Sequence, residues 1–200
     1  MKKICVAGLA MAVMMGGVIS SVSAAPYVSG SFGMVSMTDS TYSEPGFFTE
    51  EFSTDPGFGF IAAVGNRFEN VRGEAEMAYR TNDMDEFSSG GTSVSVNGDI
   101  MSLAVMGNLL VDLPLGESLQ PFLGAGMGLA NVEANISGIL NEDDDTVFAY
   151  QAIAGIGFPL THVTTLDLQY RYFATADPNF GGSEAEYQTH NFFAGLRFDF

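Results

Sequence analysis

The stretch "VRGEAEMAYR", residues 71–80, places Arg72, Glu74, Glu76 and Arg80 on one parity. Val71, Gly73, Ala75, Met77 and Tyr79 fall on the other. Read as a strand, it has one face carrying charges of both signs and one apolar face. In a soluble sheet the charges would meet water. In a membrane barrel the apolar face would meet lipid and the charges would line the inside. Alternation in one strand leaves both readings open, so the rest of the chain has to choose.

Met1-Lys2-Lys3 is a short basic start, followed by an apolar run from Ile4 to about Ile19 and the small residues "SSVSA" ending at Ala24. That is the three-part pattern of a secretory signal peptide, with cleavage expected after Ala24. The expected organisation is a signal peptide over 1–24 and one barrel domain over 25–200. Cys5 would leave with the peptide, so no disulfide framework is expected in the mature chain. Lys2 and Lys3 would leave too. Residues 25–200 then carry five Arg, no Lys and all 24 acids, a formal charge of −19. That balance excludes nucleic acid as a partner, because phosphate contact needs surface Lys and Arg. Absence of Lys is also unusual for a soluble surface, which mixes both signs. No stretch after residue 24 has the roughly 18 unbroken apolar residues of a membrane helix.

Eight segments of about ten residues alternate as residues 71–80 do. "YVSGSFGMV" (27–35) sets Val28, Phe32 and Met34 against Ser29, Ser31 and Gly33. "GFGFIAAVG" follows from Gly57, and residues 71–80 form the third segment. In "DIMSLAVMGNLLVD" (99–112), Leu103, Val105, Leu109 and Val111 oppose Ser102, Ala104 and Asn108. In "PFLGAGMGLA" (121–130), Leu123, Met127 and Leu129 oppose three glycines. "FAYQAIAGIGF" (148–158) is the sixth. In "TLDLQYRYF" (165–173), Leu166, Leu168, Tyr170 and Tyr172 oppose Asp167, Gln169 and Arg171. In "THNFFAGLRFDF" (189–200), Phe192, Leu196, Phe198 and Phe200 oppose Asn191, Arg197 and Asp199. The connectors around "NRFEN", "DLPLGESLQ" and "PLTHVT" are short. Those at 38–55, 82–97, 134–146 and 175–187 are long and polar. Long loops on one side and short turns on the other are the asymmetry of an outer-membrane barrel. A soluble eight-stranded cup of the lipocalin kind shares it more weakly.

The terminal "AGLRFDF", "YVSGSFGM", "PFLGAGMG" and "LDLQYRYF" resemble the small eight-stranded outer-membrane β-barrel proteins of Gram-negative bacteria, the surface-antigen and opacity-type group that includes barrel domains like that of outer-membrane protein A. The resemblance covers the whole mature chain. It implies an all-β, eight-stranded, up-and-down antiparallel transmembrane barrel in the outer membrane, in contact with lipid and lipopolysaccharide. It also implies that Phe192, Phe198 and Phe200 serve as the signal read by the barrel-assembly machinery. The chain departs from the usual aromatic girdles in having no Trp, so Tyr and Phe have to serve.

Other motifs weigh less. "GAGMG" lacks the third glycine of a nucleotide loop, Leu129 standing there, and reads as a strand whose inner side must stay small. "NEDDDT" (141–146) starts like a calcium loop, but Thr146 replaces the glycine and Ala152 the bidentate acid, so it is no EF-hand. With two His and no mature Cys, neither catalysis, a cofactor nor a built metal site is expected. His190 falls on the outward parity and His162 in a short turn. The four long connectors hold 15 of the 24 acids and no Lys or Arg. Such a rim is expected to collect divalent cations, bridge to lipopolysaccharide, or engage a basic surface ligand.

The function expected is non-catalytic: a surface-exposed structural or interaction protein, antigen- or adhesin-like. A small porin-like channel and a soluble periplasmic cup are the alternatives. The deciding expectation concerns the inside. Arg72, Glu74, Glu76, Arg80, Asp167, Arg171, Arg197 and Asp199 all fall on the inward parity of a barrel and should form an ion-pair network that plugs it. Only Arg67, placed beside a turn, is left out.

Overall fold

The computed structural model describes residues 24–37, 50–54, 56–89, 92–116, 118–136, 140–176, 179–180, 183–184 and 187–200. The signal-peptide segment with Cys5 lies outside them. The strands are β1 (Ala25–Met37), β2 (Glu50–Thr54), β3 (Gly57–Phe68), β4 (Val71–Ser89), β5 (Thr92–Asp112), β6 (Gln120–Ile136), β7 (Leu140–Pro159), β8 (Thr164–Thr175), β9 (Asn179–Phe180), β10 (Ser183–Glu184) and β11 (Gln188–Asp199). Eight of them close a ring, in the order β4-β3-β1-β11-β8-β7-β6-β5 and back to β4. Every neighbouring pair is antiparallel. The eight alternating segments of the sequence are these eight strands. The short β2 pairs along the far end of β4, and β9 and β10 form a separate small ribbon.

Register fixes the shape. Starting at Val71, the paired residues run Val111, Leu123, Ala154, Tyr170, Phe192, Met34 and Phe58, then back to β4 at Thr81. One circuit therefore climbs from position 71 to position 81, a stagger of ten residues. Eight strands with that stagger are strongly tilted and enclose a space that side chains can fill.

Three short connections lie at one end: the two-residue turn Glu69–Asn70, residues 113–119, and residues 160–163. Glu69 adopts the left-handed conformation there, with φ of 54°. At the other end the strands overrun the expected loops. β4 and β5 stay paired out to Ser89 and Thr92, and β6 and β7 out to Ile136 and Leu140. Residues 82–97 and 134–146, expected as loops, are therefore mostly paired strand. Backbone pairing needs no apolar face, so polarity marks where the lipid ends rather than where the ladder ends. Asp39, Glu44, Asp55, Asp177 and Glu186 lie outside the described residues. Glu50 and Glu51 fall in β2, Asp83, Asp85 and Glu86 in β4, Glu142, Asp143, Asp144 and Asp145 in β7, and Glu184 in β10.

The two faces of the ring settle the opening ambiguity. Phe32 (61% exposed), Met34, Leu109, Met127 (65%) and Phe192 all point outward, as do Leu103, Leu168, Leu196 and Phe198. Arg72, Glu74, Glu76, Arg80, Asp167, Arg171 and Arg197 are buried inside. A soluble cup would show the reverse arrangement. Smallness on the inner parity has a direct cause. A Cβ on Gly155 would fall on the Phe122 ring, one on Gly65 on the Tyr27 ring, and one on Gly126 on the Asn108 amide. Outside, the apolar belt matches hydrocarbon and needs no partner. The belt is that of a barrel that crosses a membrane with its strands.

Candidate functional site: the lumen

The lumen is built in layers. At the short-turn end, Arg72 donates from Nε to Asp112 Oδ1 at 2.9 Å, with Nη1 3.6 Å from Glu74. Glu74 also accepts from the Tyr27 hydroxyl at 2.7 Å. Arg197 donates to Asp167 at 3.1 and 3.4 Å. Arg67 stands 3.5 Å from Asp112 and 3.3 Å from Asp199. The Arg72 guanidinium lies over the Phe122 ring at 4.6 Å, a cation–π contact in a dry setting.

One layer up, Glu76 is the hub. Its carboxylate receives Arg171 Nη1 at 2.5 Å, Asn108 Nδ2 at 2.6 Å and Gln151 Nε2 at 3.2 Å. Gln151 also donates to Asn108 Oδ1 at 2.8 Å. Arg171 holds Gln169 Oε1 from both Nε and Nη2, at 3.0 and 2.9 Å, and Gln169 donates to Ser31 at 3.3 Å. Asn108 reaches Glu74 at 3.4 Å and joins the two layers. Six strands (β1, β4, β5, β7, β8 and, through Asn191 on the Arg171 carbonyl at 3.0 Å, β11) meet across this level. A buried charge persists only when paired and hydrogen-bonded, and the three partners of Glu76 come from three other strands, β8, β5 and β7.

Toward the long-loop end the interior turns apolar. Ile100, Ala104, Met106, Ala130, Val132, Phe173 and Tyr187 pack together, and Val35, Ile61, Ala78 and Phe193 form a second cluster. Arg80 sits among these groups and not in the network. It is fully buried, lies over the Phe173 ring at 4.0 Å, and no carboxylate among the described residues is in ion-pairing contact with it.

Of the eight predicted network residues, the fold therefore brings Arg72, Glu74, Glu76, Arg171, Arg197 and Asp167 into hydrogen-bonded contact. Asp199 pairs with Arg67 rather than Arg197, and Arg80 stands apart because Glu76 is already taken by three other donors. Arg67 is a correction. β3 runs on to Phe68, which places Arg67 on the inward parity of Ile61 and Ala63. Carrying the alternation of residues 57–65 three residues further would have found it, and the same extension finds Asp112 from Ser102 and Asn108. Tyr27 shares the parity of Ser29 and Ser31, which marks it inward, but Gln151 carried no such signal, because small or apolar residues flank it on both parities. Phe192, Phe198 and Phe200 all face outward.

The family model of the outer-membrane protein β-barrel domain matches residues 5–200. An uncharacterized protein of Brucella abortus (strain 2308) is 28% identical over 157 residues, covering 72% of this chain and 54% of its own length. Another, of Brucella suis biovar 1 (strain 1330), is 35% identical over 99 residues, covering 43% of this chain and 35% of its own. The chain spans about half the length of the first of these curated relatives. Among solved structures, Neisserial surface protein A superposes with a TM-score of 0.64 at 18% identity, over 88% of this chain and 97% of the other. OprG of Pseudomonas aeruginosa gives 0.63 at 14%, over 88% and 95%. Ail of Yersinia pestis, in complex with the heparin analogue sucrose octasulfate, gives 0.52 at 14%, over 88% and 99%. At such identities these three speak for the fold alone. The family match runs with a closed ring whose lipid face and charged interior are both in place, and the chain belongs to the outer-membrane protein β-barrel domain family.

Proposed function

We propose that this protein is a closed, non-catalytic barrel whose role is to hold an acidic set of extracellular loops at the cell surface, as an antigen- or adhesin-like interaction protein. The observation that carries the reading is the hub layer. Glu76, Arg171, Gln151 and Asn108 bond to one another across the lumen and are each no more than 5% exposed. A water-filled channel would leave them wet.

The loops supply the interaction. Fifteen acids and no Lys or Arg favour divalent cations, cation-bridged lipopolysaccharide, or a basic ligand. They disfavour a polysulfate of the kind held by Ail. His190 supports the non-catalytic reading: its Nδ1 lies 2.6 Å from the Tyr170 hydroxyl on the outward face, and His162 lies in a turn at the opposite end. The outward Phe192, Phe198 and Phe200 suit recognition by the assembly machinery before insertion. Planar-bilayer recordings test the closed barrel. The wild-type protein is expected to give no steady conductance, and Glu76→Ala or Arg171→Ala to give intermittent openings. Steady wild-type conductance indifferent to both substitutions would overturn the reading.

A further inference from the structure

Among the described residues, six buried atoms that can donate lack a hydrogen-bond partner toward the loop end of the lumen: Nε, Nη1 and Nη2 of Arg80, and the hydroxyls of Ser102, Thr175 and Tyr187. They belong together. Arg80 and Ser102 are register partners on β4 and β5, both turned inward. The Arg80 guanidinium lies on Phe173, whose ring meets the Tyr187 ring edge-on at 6.1 Å. Thr175, next to Phe173 on the inward face of β8, donates its backbone N–H to the Tyr187 carbonyl at 3.0 Å.

Orphaned groups of this kind are rare inside proteins, and an unpaired guanidinium is the most costly of them. Among the described residues no acceptor reaches it. Glu76 accepts instead from Arg171, Asn108 and Gln151, and the guanidinium lies on the Phe173 ring. Guanidinium is donor-only and a hydroxyl can donate, so this group of atoms calls for an acceptor and not for a cation.

We propose that Arg80, Ser102, Thr175 and Tyr187 form a binding site for one small monovalent anion, a carboxylate or a halide, inside the extracellular end of the barrel. A guanidinium whose carbon lies 4.0 Å from a ring centroid keeps its N–H groups for other partners, and their fork takes a planar carboxylate or a single halide. One uncompensated charge calls for one negative charge. The acidic rim above repels multivalent anions most strongly, which disfavours phosphate and sulfate.

The test uses the full chain refolded into lipid nanodiscs, with Arg side-chain and backbone resonances followed during titration with sodium formate and, separately, sodium bromide. A shift of Arg80 Nε–H and of the Ser102, Thr175 and Tyr187 amides that saturates, with formate and bromide competing, is expected. Ser102→Ala and Tyr187→Phe should each weaken binding about ten- to a hundred-fold, the worth of one hydrogen bond to a charged group. Arg80→Gln should abolish it. Should that variant fail to fold, the two hydroxyl variants still decide. A linear drift with salt, equal saturation in Ser102→Ala and Tyr187→Phe, or bromide-soaked crystals holding only an ordered water on the guanidinium would each overturn the site.

Discussion

The inner and outer faces of the barrel are made by the same strands and obey opposite rules. On β8, Leu168 and Tyr170 point outward and Gln169 and Arg171 inward, one residue apart. Leu168 needs only to be apolar, because lipid fits around any hydrocarbon shape. Arg171 needs Glu76 on β4, Gln151 on β7 and Gln169 on its own strand, each at one distance and angle. The outside is specified by class and the inside by identity. Substitutions should therefore be graded by chemistry on one face and by partnership on the other.

The largest effect is expected at the hub. Arg171→Ala strands the Glu76 carboxylate in a dry interior, and Glu76→Ala strands the guanidinium. Either should cost about 3–5 kcal/mol of stability. Urea titration of the refolded protein, read by the electrophoretic shift between folded and boiled forms, measures it. The double change Arg171→Met with Glu76→Leu should recover most of that loss, since intact buried pairs add little net stability. If the double variant is as unstable as either single one, pairing is not what the hub contributes.

On the lipid face, Leu168→Arg near the midplane should cost roughly 2–4 kcal/mol, while Leu168→Val or Leu168→Phe should pass almost unnoticed. Equal losses from Leu168→Val and Leu168→Arg would show that the outer face is shape-specified after all.

This asymmetry also sets how much could be read from the sequence. Which face meets lipid was legible on β1, β4, β5, β6, β8 and β11, because the outward residues repeat at every second position. The interior was legible only where a charge announced it. Nothing local marks Ile61 as inward, since an apolar residue suits either side and its neighbours are apolar too, while Phe173 and Phe193 follow only from the parity of Arg171 and Asn191. Partner choice was hidden altogether. That Asp199 meets Arg67, and that Arg80 meets a ring instead of Glu76, depends on a register that climbs ten residues around the circuit. Strand ends were misplaced for a related reason, as polarity reports the membrane boundary and the ladder ignores it.

A smaller inner effect is expected where the lumen has no room. A Cβ on Gly155 falls on the Phe122 ring, which itself supports Arg72. Gly155→Ala should cost about 1–3 kcal/mol through overpacking. The same urea titration checks it, with Ala154→Gly on the adjacent outward position as the contrast. The outward change removes one methyl from a surface with no fixed partner, and its effect should be the lesser of the two.

The smallest stability effect, and the most informative about function, belongs to the acidic start of β7. Asp143→Asn, Asp144→Asn and Asp145→Asn together remove three charges from a rim of one sign. A surface charge substitution is usually worth within about 0.5 kcal/mol per site, and relief of mutual repulsion should make the change neutral or slightly stabilising. Their contribution should appear only with a cation present. Calcium titration of the wild-type barrel, followed by loop resonances, is expected to give saturable shifts in the millimolar range, about that of weak, flexible carboxylate sites. The triple variant should need several times more calcium for the same shift. Shifts that are absent in the wild type would remove the cation role and leave the acidic rim to a basic partner. Shifts of equal size in the variant would move the binding to the acids of the other loops.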